Sequence, residues 1–161
     1  MERSDELVVI FMGSKKDKEF ASGIKEKLEE FKLPYEARAL SAHKAPEQTL
    51  EALEVYEETE KNIVYIAVAG KSNALGPMLS ANSTRPVINC PPIGEYKQDI
   101  YSSLRTPTGA PCSTILEPAN AALHAAKILS GSNEELKKKL ADWKREQQAD
   151  VVSDDEGLSF S

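Results

Sequence analysis

Residues 63–77 read IVYIAVAGKSNALGP, an apolar run of seven residues that passes directly into a polar turn bracketed by two glycines. A continuous apolar run of this length is typical of a strand covered on both faces, as in a parallel sheet. Gly76-Pro77 then favours the start of a short helix near 77–82. The same order of buried strand, polar turn and helix recurs along the chain and predicts an α/β domain.

The other strands and helices follow from apolar runs and from apolar residues spaced three or four apart. Further strands are expected at 7–12, 35–40, 86–90 and 113–116. One helix follows Ser14 and is expected to end at Pro34, and others are expected from Pro46, over 118–129 and over 134–148. Residues 93–111 predict a long loop with one turn of helix near 99–104.

The helix that begins at Pro46 turns one apolar face to the core. Leu50 and Leu53 lie on that face, and either Val55 or Tyr56 continues it. Both are apolar residues close after Leu53, and the sequence leaves the alternative open.

Strands that alternate with helices predict a parallel sheet with helices on both faces. We expect a flavodoxin-like, three-layer α/β/α sandwich of strand order 2-1-3-4-5, with a C-terminal helix whose core face holds Leu136, Leu140 and Trp143. Residues 1–152 show no internal repeat and are expected to form one domain. Residues 153–161, SDDEGLSFS, predict an acidic, flexible tail.

Composition argues against several classes of protein. The chain has 161 residues, and 20 Lys and Arg against 26 Asp and Glu give a net charge of −6 without a basic block, which disfavours nucleic-acid binding. No apolar run approaches the roughly 20 residues of a membrane span. Residues 1–6, MERSDE, do not resemble a signal peptide, so we expect a cytoplasmic protein without a membrane partner.

The two cysteines and the second histidine are not expected to carry chemistry. Cys90 follows a strand and is expected to be buried, and Cys112 lies near the long loop and could approach the site. Their spacing predicts neither a disulfide framework nor a metal site. His124 lies on an alanine-rich helix and is interpreted as a packing or surface residue.

The predicted topology brings three polar loops together. With the first strand between the second and the third, loops 13–17, 41–46 and 70–76 all leave the carboxyl edge of the sheet at neighbouring positions. Ligands of such sheets bind at that edge, where the strand order reverses. The sequence therefore predicts a ligand site before any relative is considered.

The first two loops each have a functional and a purely structural interpretation. Gly13 lets backbone approach a ligand and the helix start that follows suits a phosphate, but Ser14 could simply cap that helix and Asp17 favour its first turn. In the second loop, His43 could transfer a proton, because histidine is the side-chain type that exchanges protons most readily at physiological pH, and Lys44 could bind a phosphate. The alternative is a solvated surface pair.

The third loop follows a strand of pure core. Lys71, Ser72 and Asn73 stand between Gly70 and Gly76, and short polar side chains with free backbone amides could hold a carboxylate or another small anion. A polar connection with helix caps is the structural alternative. We favour the functional interpretation because so many polar residues follow a buried strand directly.

The motifs MGSKKD (12–17), SAHKAP (41–46), AVAGKSNALGP (67–77) and RTPTGAPCSTI (105–115) together resemble the aminoimidazole ribonucleotide carboxylase (PurE) family, over roughly residues 7–150. In that family the mutase branch typically reads SAHR and AGGAAHLPG, and Ala74 stands where the mutase has a second histidine. SAHK, GKSNALGP and PTGxxCST look like the class II branch, which uses CO2 directly. Lys16 replaces a serine common in the family and could itself face the anion.

The resemblance implies a role for each loop. Ser14 and Asp17 would bind the phosphate and ribose of aminoimidazole ribonucleotide (AIR), Ser41, Ala42 and Lys44 would complete that pocket, and His43 would be the general acid/base. The third loop would hold CO2 or the new carboxylate, through these residues: Gly70, Lys71, Ser72, Asn73 and Gly76. The product would be 4-carboxy-5-aminoimidazole ribonucleotide (CAIR), formed without ATP.

The chemistry implied by the resemblance needs few groups. The C4 atom of the aminoimidazole is already nucleophilic, so positioning CO2 over it and removing one proton suffice. We therefore expect no cofactor and no metal, small-molecule partners only, and a homo-oligomer (tetramer or octamer), as the family usually forms. The alternatives are the N5-carboxyaminoimidazole ribonucleotide mutase and a non-catalytic flavodoxin-like nucleotide-binding module.

Overall fold

The computed structural model describes residues 5–94 and 97–158, in which strands and helices alternate. The strands are β1 (Glu6–Met12), β2 (Tyr35–Ala39), β3 (Asn62–Val68), β4 (Val87–Asn89) and β5 (Ser113–Thr114). The α-helices are α1 (Lys18–Glu30), α2 (Pro46–Glu57), α3 (Leu75–Ala81), α4 (Tyr101–Leu104), α5 (Pro118–Leu129) and α6 (Glu134–Glu156). One-turn 3-10 helices at Lys15–Asp17 and Lys97–Ile100 precede α1 and α4.

The predicted strand order is confirmed. The five strands form one parallel sheet in the order β2-β1-β3-β4-β5, and β1 pairs with both β2 (Val8 opposite Tyr35) and β3 (Leu7 opposite Ile63). β1 and most of β3 are buried, because the sheet is covered on both faces.

Alternate residues of the central strands pack into two separate hydrophobic cores, one on each face of the sheet. Val8 and Ile10 of β1 pack on one face with residues of α1 and α5, whereas Val9 and Phe11 pack on the other with residues of α2 and α3. This alternation is the side-chain period of a strand, and it confirms the three-layer α/β/α sandwich.

The edge strand β2 differs from the central strands because its side chains are mostly exposed. Tyr56 of α2 is 5% exposed and its hydroxyl donates to Glu36 Oε2 of β2 at 2.7 Å, whereas Val55 is 62% exposed. Tyr56 is therefore the residue that continues the apolar face of α2, which settles the alternative that the spacing left open.

The end of α1 corrects one expectation. The helix ends at Glu30, before Pro34 is reached, and Lys32 adopts the left-handed conformation with φ +56°. The Leu33 N–H donates to the Leu28 carbonyl and the Lys32 N–H to the Glu29 carbonyl, both at 2.9 Å. These are the two bonds of a Schellman motif, so the backbone cap ends the helix and the prediction that Pro34 does so was wrong.

The last helix is longer than its predicted span of 134–148. It runs to Glu156. Residues 153–156, which we expected in the flexible tail, are therefore helical. Neither glycine nor proline interrupts the chain before Gly157, which is the physical reason. Trp143 packs edge-on against Phe31 with ring centroids 6.0 Å apart, as its predicted core face requires. Residues 159–161 lie outside the described residues, and the domain boundary at 152 stays a prediction.

Smaller differences concern element ends. α3 begins at Leu75, two residues before its predicted start, and β5 has only two residues. Residues 95–96 of the predicted long loop lie outside the described part of the chain. Of the helices that the structure describes, none combines the length and the apolar character needed to cross a membrane.

Candidate active site at the carboxyl edge of the sheet

The three polar loops meet at one cavity of about 500 Å³, as the topology predicts. The volume lies within the range of sites that enclose a small molecule. The predicted site residues that line it are these: Ser14, Asp17, Ser41, Ala42, His43, Lys44, Gly70, Lys71 and Ser72. Lys16 and Ala74 line it as well.

The first loop presents Ser14 and Asp17 through a single tight turn. Ser14 has extended backbone, and its Oγ accepts from the Lys16 N–H at 3.2 Å, so it also serves as the cap that the structural interpretation proposed. Asp17 is half-buried, and desolvation raises the pKa of its carboxyl, an effect that a hydrogen bond from the Ser14 backbone partly opposes. Asp17 also lines the cavity and offers its carboxyl oxygens as hydrogen-bond acceptors to a ligand there.

The second loop is closed by bonds within itself. The Ser41 carbonyl accepts from Lys44 N–H at 3.2 Å and from Ala45 N–H at 2.8 Å, and Ser41 Oγ also accepts from the Lys44 N–H at 3.3 Å. These bonds leave His43 at the exposed tip of the turn. The His43 side chain is exposed and makes no hydrogen bond to the described residues, and the residue lines the cavity.

The third loop is held under steric constraint. Ser72 has φ +42°, a left-handed conformation that costs a residue other than glycine roughly 1–2 kcal/mol. At Gly70 a Cβ atom would lie 2.7 Å from the Pro92 carbonyl oxygen, so only glycine fits there. The backbone of this loop therefore packs closely against the segment that follows β4, at Pro92.

Two predicted site residues, Asn73 and Gly76, do not line the cavity. Asn73 is 4% exposed, and its side-chain Oδ1 accepts from the Gly76 N–H at 3.1 Å. Gly76 lies on α3 against β4, where a Cβ atom would be 1.7 Å from Asn89 Oδ1. Both residues lie behind the cavity wall. The side chain of Asn73 and the N–H of Gly76 form hydrogen bonds inside the protein.

Sequence reasoning missed one wall of the cavity. Pro92 and Gly94 follow β4, and Asp99 lies on the one-turn helix before α4; all three line the cavity. β4 is parallel to β3 and next to it, so the residues after both strands lie at the same edge of the sheet. The predicted strand order could therefore have indicated Pro92 and Gly94 as lining residues. Asp99 gave no such signal, because it reaches the site only through the folding back of residues 97–104.

The lining is more basic than the chain as a whole. Lys16, Lys44 and Lys71 line the cavity together with Asp17 and Asp99. Lys16 and Lys44 form no ion pair with the residues that the structure describes. An excess of lysine in the cavity of a chain with net charge −6 favours an anionic ligand.

The other residues singled out from the sequence lie away from the cavity. Cys90 is fully buried, and burial raises the pKa of its thiol to about 12. Cys112 is half-buried with a raised pKa, also from burial, and neither it nor His124 of α5 lines the cavity. Within residues 5–94 and 97–158 no group of three His, Cys, Asp or Glu side chains could hold a metal ion.

The fold and the cavity together define a flavodoxin-like α/β protein with a cavity of small-molecule size where the strand order of its sheet reverses. The AIR carboxylase family model matches residues 7–150. The chain therefore belongs to the AIR carboxylase family, which confirms the resemblance seen in its loop motifs.

Three relatives illustrate the match. A phosphoribosylaminoimidazole carboxylase of Archaeoglobus fulgidus is 38% identical over 152 residues, which cover 93% of this chain and 83% of that protein. The crystal structure of Treponema denticola PurE superposes with a TM-score of 0.93 at 36% identity, covering 96% of this chain and 99% of that one. A bifunctional phosphoribosylaminoimidazole carboxylase/phosphoribosylaminoimidazole succinocarboxamide synthetase of Drosophila melanogaster is 45% identical over 133 residues, 81% of this chain.

The bifunctional animal relatives are much longer than this chain. The match covers only 31% of the Drosophila protein, so the chain spans about three tenths of the length of such relatives.

Proposed function

We propose that this protein catalyses the reversible carboxylation of AIR by CO2 at ring carbon C4, giving CAIR in purine biosynthesis without ATP. The observation that carries the proposal is the convergence of Ser14, His43 and Ser72 on one cavity, where His43 is exposed. Relatives whose length this chain nearly matches are named phosphoribosylaminoimidazole carboxylase.

The ribose phosphate is assigned to the first two loops. Ser14 offers a hydroxyl and Lys44 a point charge for the phosphate, with Ser41 and Ala42 shaping the turn between them. Asp17 accepts from ribose hydroxyls, and Lys16 adds a second positive charge at the rim. This placement leaves the imidazole ring of the substrate between His43 and the third loop.

The carboxyl group is assigned to the third loop. Gly70, Lys71 and Ser72 line the cavity there and offer a backbone surface, an ammonium group and a hydroxyl to CO2 and to the carboxylate that forms from it. Asn73 and Gly76 support this loop from behind. Ala74 also lines the cavity, and a small apolar residue at that position supports the CO2-using reaction over the mutase reaction.

The reaction balances with one proton acceptor. The electron pair of the enamine-like C4 attacks the carbon of CO2, a C–C bond forms, and one C–O π bond becomes the carboxylate. The C4 carbon then still bears its proton, which a ring nitrogen of His43 removes to restore aromaticity. In the reverse direction the imidazolium protonates C4 and the C–C bond breaks to release CO2.

A homo-oligomer, tetramer or octamer, in the cytoplasm completes the proposal. Exposed apolar side chains support self-association: Val151, Val152 and Leu158 near the end of α6, and Ile93, Tyr101 and Leu104 near the cavity wall. A light-scattering mass several times that of one chain is expected. A mass of 17.7 kDa would contradict the oligomer.

The decisive experiment mixes the purified protein with AIR and bicarbonate, without ATP or a second enzyme. CAIR formation is expected, and CAIR added alone should lose CO2. Activity only with the N5-carboxylated substrate would identify the mutase instead. Ribotide binding without turnover of either substrate would identify a non-catalytic binding module.

A further inference from the structure

Two adjacent serines of α4 hold the third loop from outside the cavity. Ser102 Oγ accepts from the Asn73 backbone N–H at 2.7 Å, and Ser103 Oγ accepts from Asn73 Nδ2 at 3.0 Å. Backbone and side chain of one buried residue are thus held by consecutive hydroxyls, which we call the serine clasp (Ser102 and Ser103). Neither serine lines the cavity.

The clasp acts next to the strained residue of the loop. Ser72, at φ +42°, lines the cavity and directly precedes Asn73. A non-glycine residue keeps a left-handed conformation only where its surroundings impose it. Asn73 imposes it through three bonds, two to the clasp and one from the Gly76 N–H, which together hold the residue after Ser72 in place.

The clasp is itself anchored to the sheet. The Ser103 carbonyl accepts from Thr114 Oγ1 of β5 at 2.8 Å and from Asn89 Nδ2 of β4 at 3.3 Å. Ser102 Oγ donates to the Asp99 carbonyl at 2.5 Å, and Asp99 lines the cavity. The same short segment therefore holds the third loop and brings an acidic residue to the cavity.

We propose that Ser102 and Ser103 are positioning residues for carboxylation: they fix Lys71 and Ser72 in the geometry that holds CO2 and do not touch the substrate. The inference rests on the proposed function. Of the three loops, the clasp bonds only to the third, so its loss should weaken the use of CO2 and leave the binding of the ribotide by the first two loops unchanged.

The kinetic test compares Ser103→Ala with Ser80→Ala. Ser80 is a matched control, since it is a buried serine whose hydroxyl donates one bond, to the Pro111 carbonyl at 2.6 Å, away from the loop. We expect Ser103→Ala to lower kcat/KM for CO2 about tenfold, equivalent to about 1.4 kcal/mol, with KM for AIR unchanged. Ser80→Ala should leave both constants at the wild-type value.

A conservative variant separates positioning from a general structural role. Ser102 is only half-buried, and Ser102→Thr keeps the hydroxyl. Ser102→Ala should reproduce the loss of CO2 use, and Ser102→Thr should restore it. Equal kinetics in the alanine and threonine variants, or an equal rise of KM for AIR and for CO2, would overturn the proposal.

Amide hydrogen exchange supplies a readout that needs no activity. Residues 71–76 should exchange faster in Ser103→Ala than in the wild type or in Ser80→Ala, because the bond from Asn73 Nδ2 to the Ser103 hydroxyl is lost. Unchanged exchange would overturn the proposal that the clasp holds the third loop, even if the wild type carboxylates AIR. Faster exchange with an inactive wild type would instead overturn the proposed function and leave the clasp as an element of loop structure.

Discussion

The loop that carries His43 and the loop that carries Ser72 follow strands two positions apart in the sheet, yet they are held in opposite ways. Bonds from the Lys44 and Ala45 N–H groups to Ser41 close the second loop, which carries His43, within residues 41–45. The third loop, which carries Ser72, is held by serines 29 and 30 residues further along the chain from Asn73. A locally closed turn can present a mobile acid/base, whereas a loop held from a distance transmits any packing change to the site.

The His43 side chain takes no part in the bonds that close its loop, so we expect its replacement to leave the fold intact. His43→Asn should lower turnover about 10²–10⁴-fold, the usual contribution of a general acid/base, while the melting temperature and the binding of the ribotide stay close to the wild type. Steady-state kinetics and ligand titration measure the two effects. His124→Asn is the control and should keep full activity; near-normal turnover of His43→Asn would remove this residue from the mechanism.

The third loop should respond in the opposite way. Gly76→Ala places a Cβ atom 1.7 Å from Asn89 Oδ1, so the free energy of unfolding should fall by about 3 kcal/mol as α3 and β4 are pushed apart. Chemical denaturation measures it. Gly94→Ala, where no atom lies within 4 Å of the new Cβ, should change stability little. Equal losses in both variants would show that the contact behind the loop is not tight.

Lys44 tests whether the second loop binds the phosphate. Lys44→Ala should weaken the binding of AIR or ribose 5-phosphate about tenfold, equivalent to about 1.4 kcal/mol, with stability unchanged. Calorimetric titration measures it. Lys15→Ala is the matched control, because Lys15 is exposed in the neighbouring turn and does not line the cavity. An equal effect of both variants would indicate only a diffuse charge effect.

The smallest effect concerns backbone strain. Ser72→Gly should raise the free energy of unfolding by roughly 0.5–1 kcal/mol by relieving the left-handed conformation, and should still lower carboxylation because the hydroxyl is lost. Lys32→Gly, at φ +56° in the cap of α1, should give a similar gain with normal kinetics. A loss of stability in Ser72→Gly alone would show that its side chain supports the loop.

The sheet and the meeting of its loops could be predicted because their signals are local. Apolar runs such as 63–69 report burial on both faces residue by residue, and alternation with helices restricts the topology to a few choices. Once the order 2-1-3-4-5 is set, the positions of Ser14, His43 and Ser72 at one edge follow, and the motifs around them suffice to indicate the family.

The far wall of the cavity and the residues behind it were decided by tertiary structure. Asp99 lines the site because residues 97–104 fold back over the end of β4. Asn73 is directed inward because Ser102 and Ser103 accept its hydrogen bonds there. Neither pairing leaves a periodic or spacing signal, since the partners lie about thirty residues apart. Local chemistry thus specified which loops form the site, and long-range packing chose which side chains of those loops face the ligand.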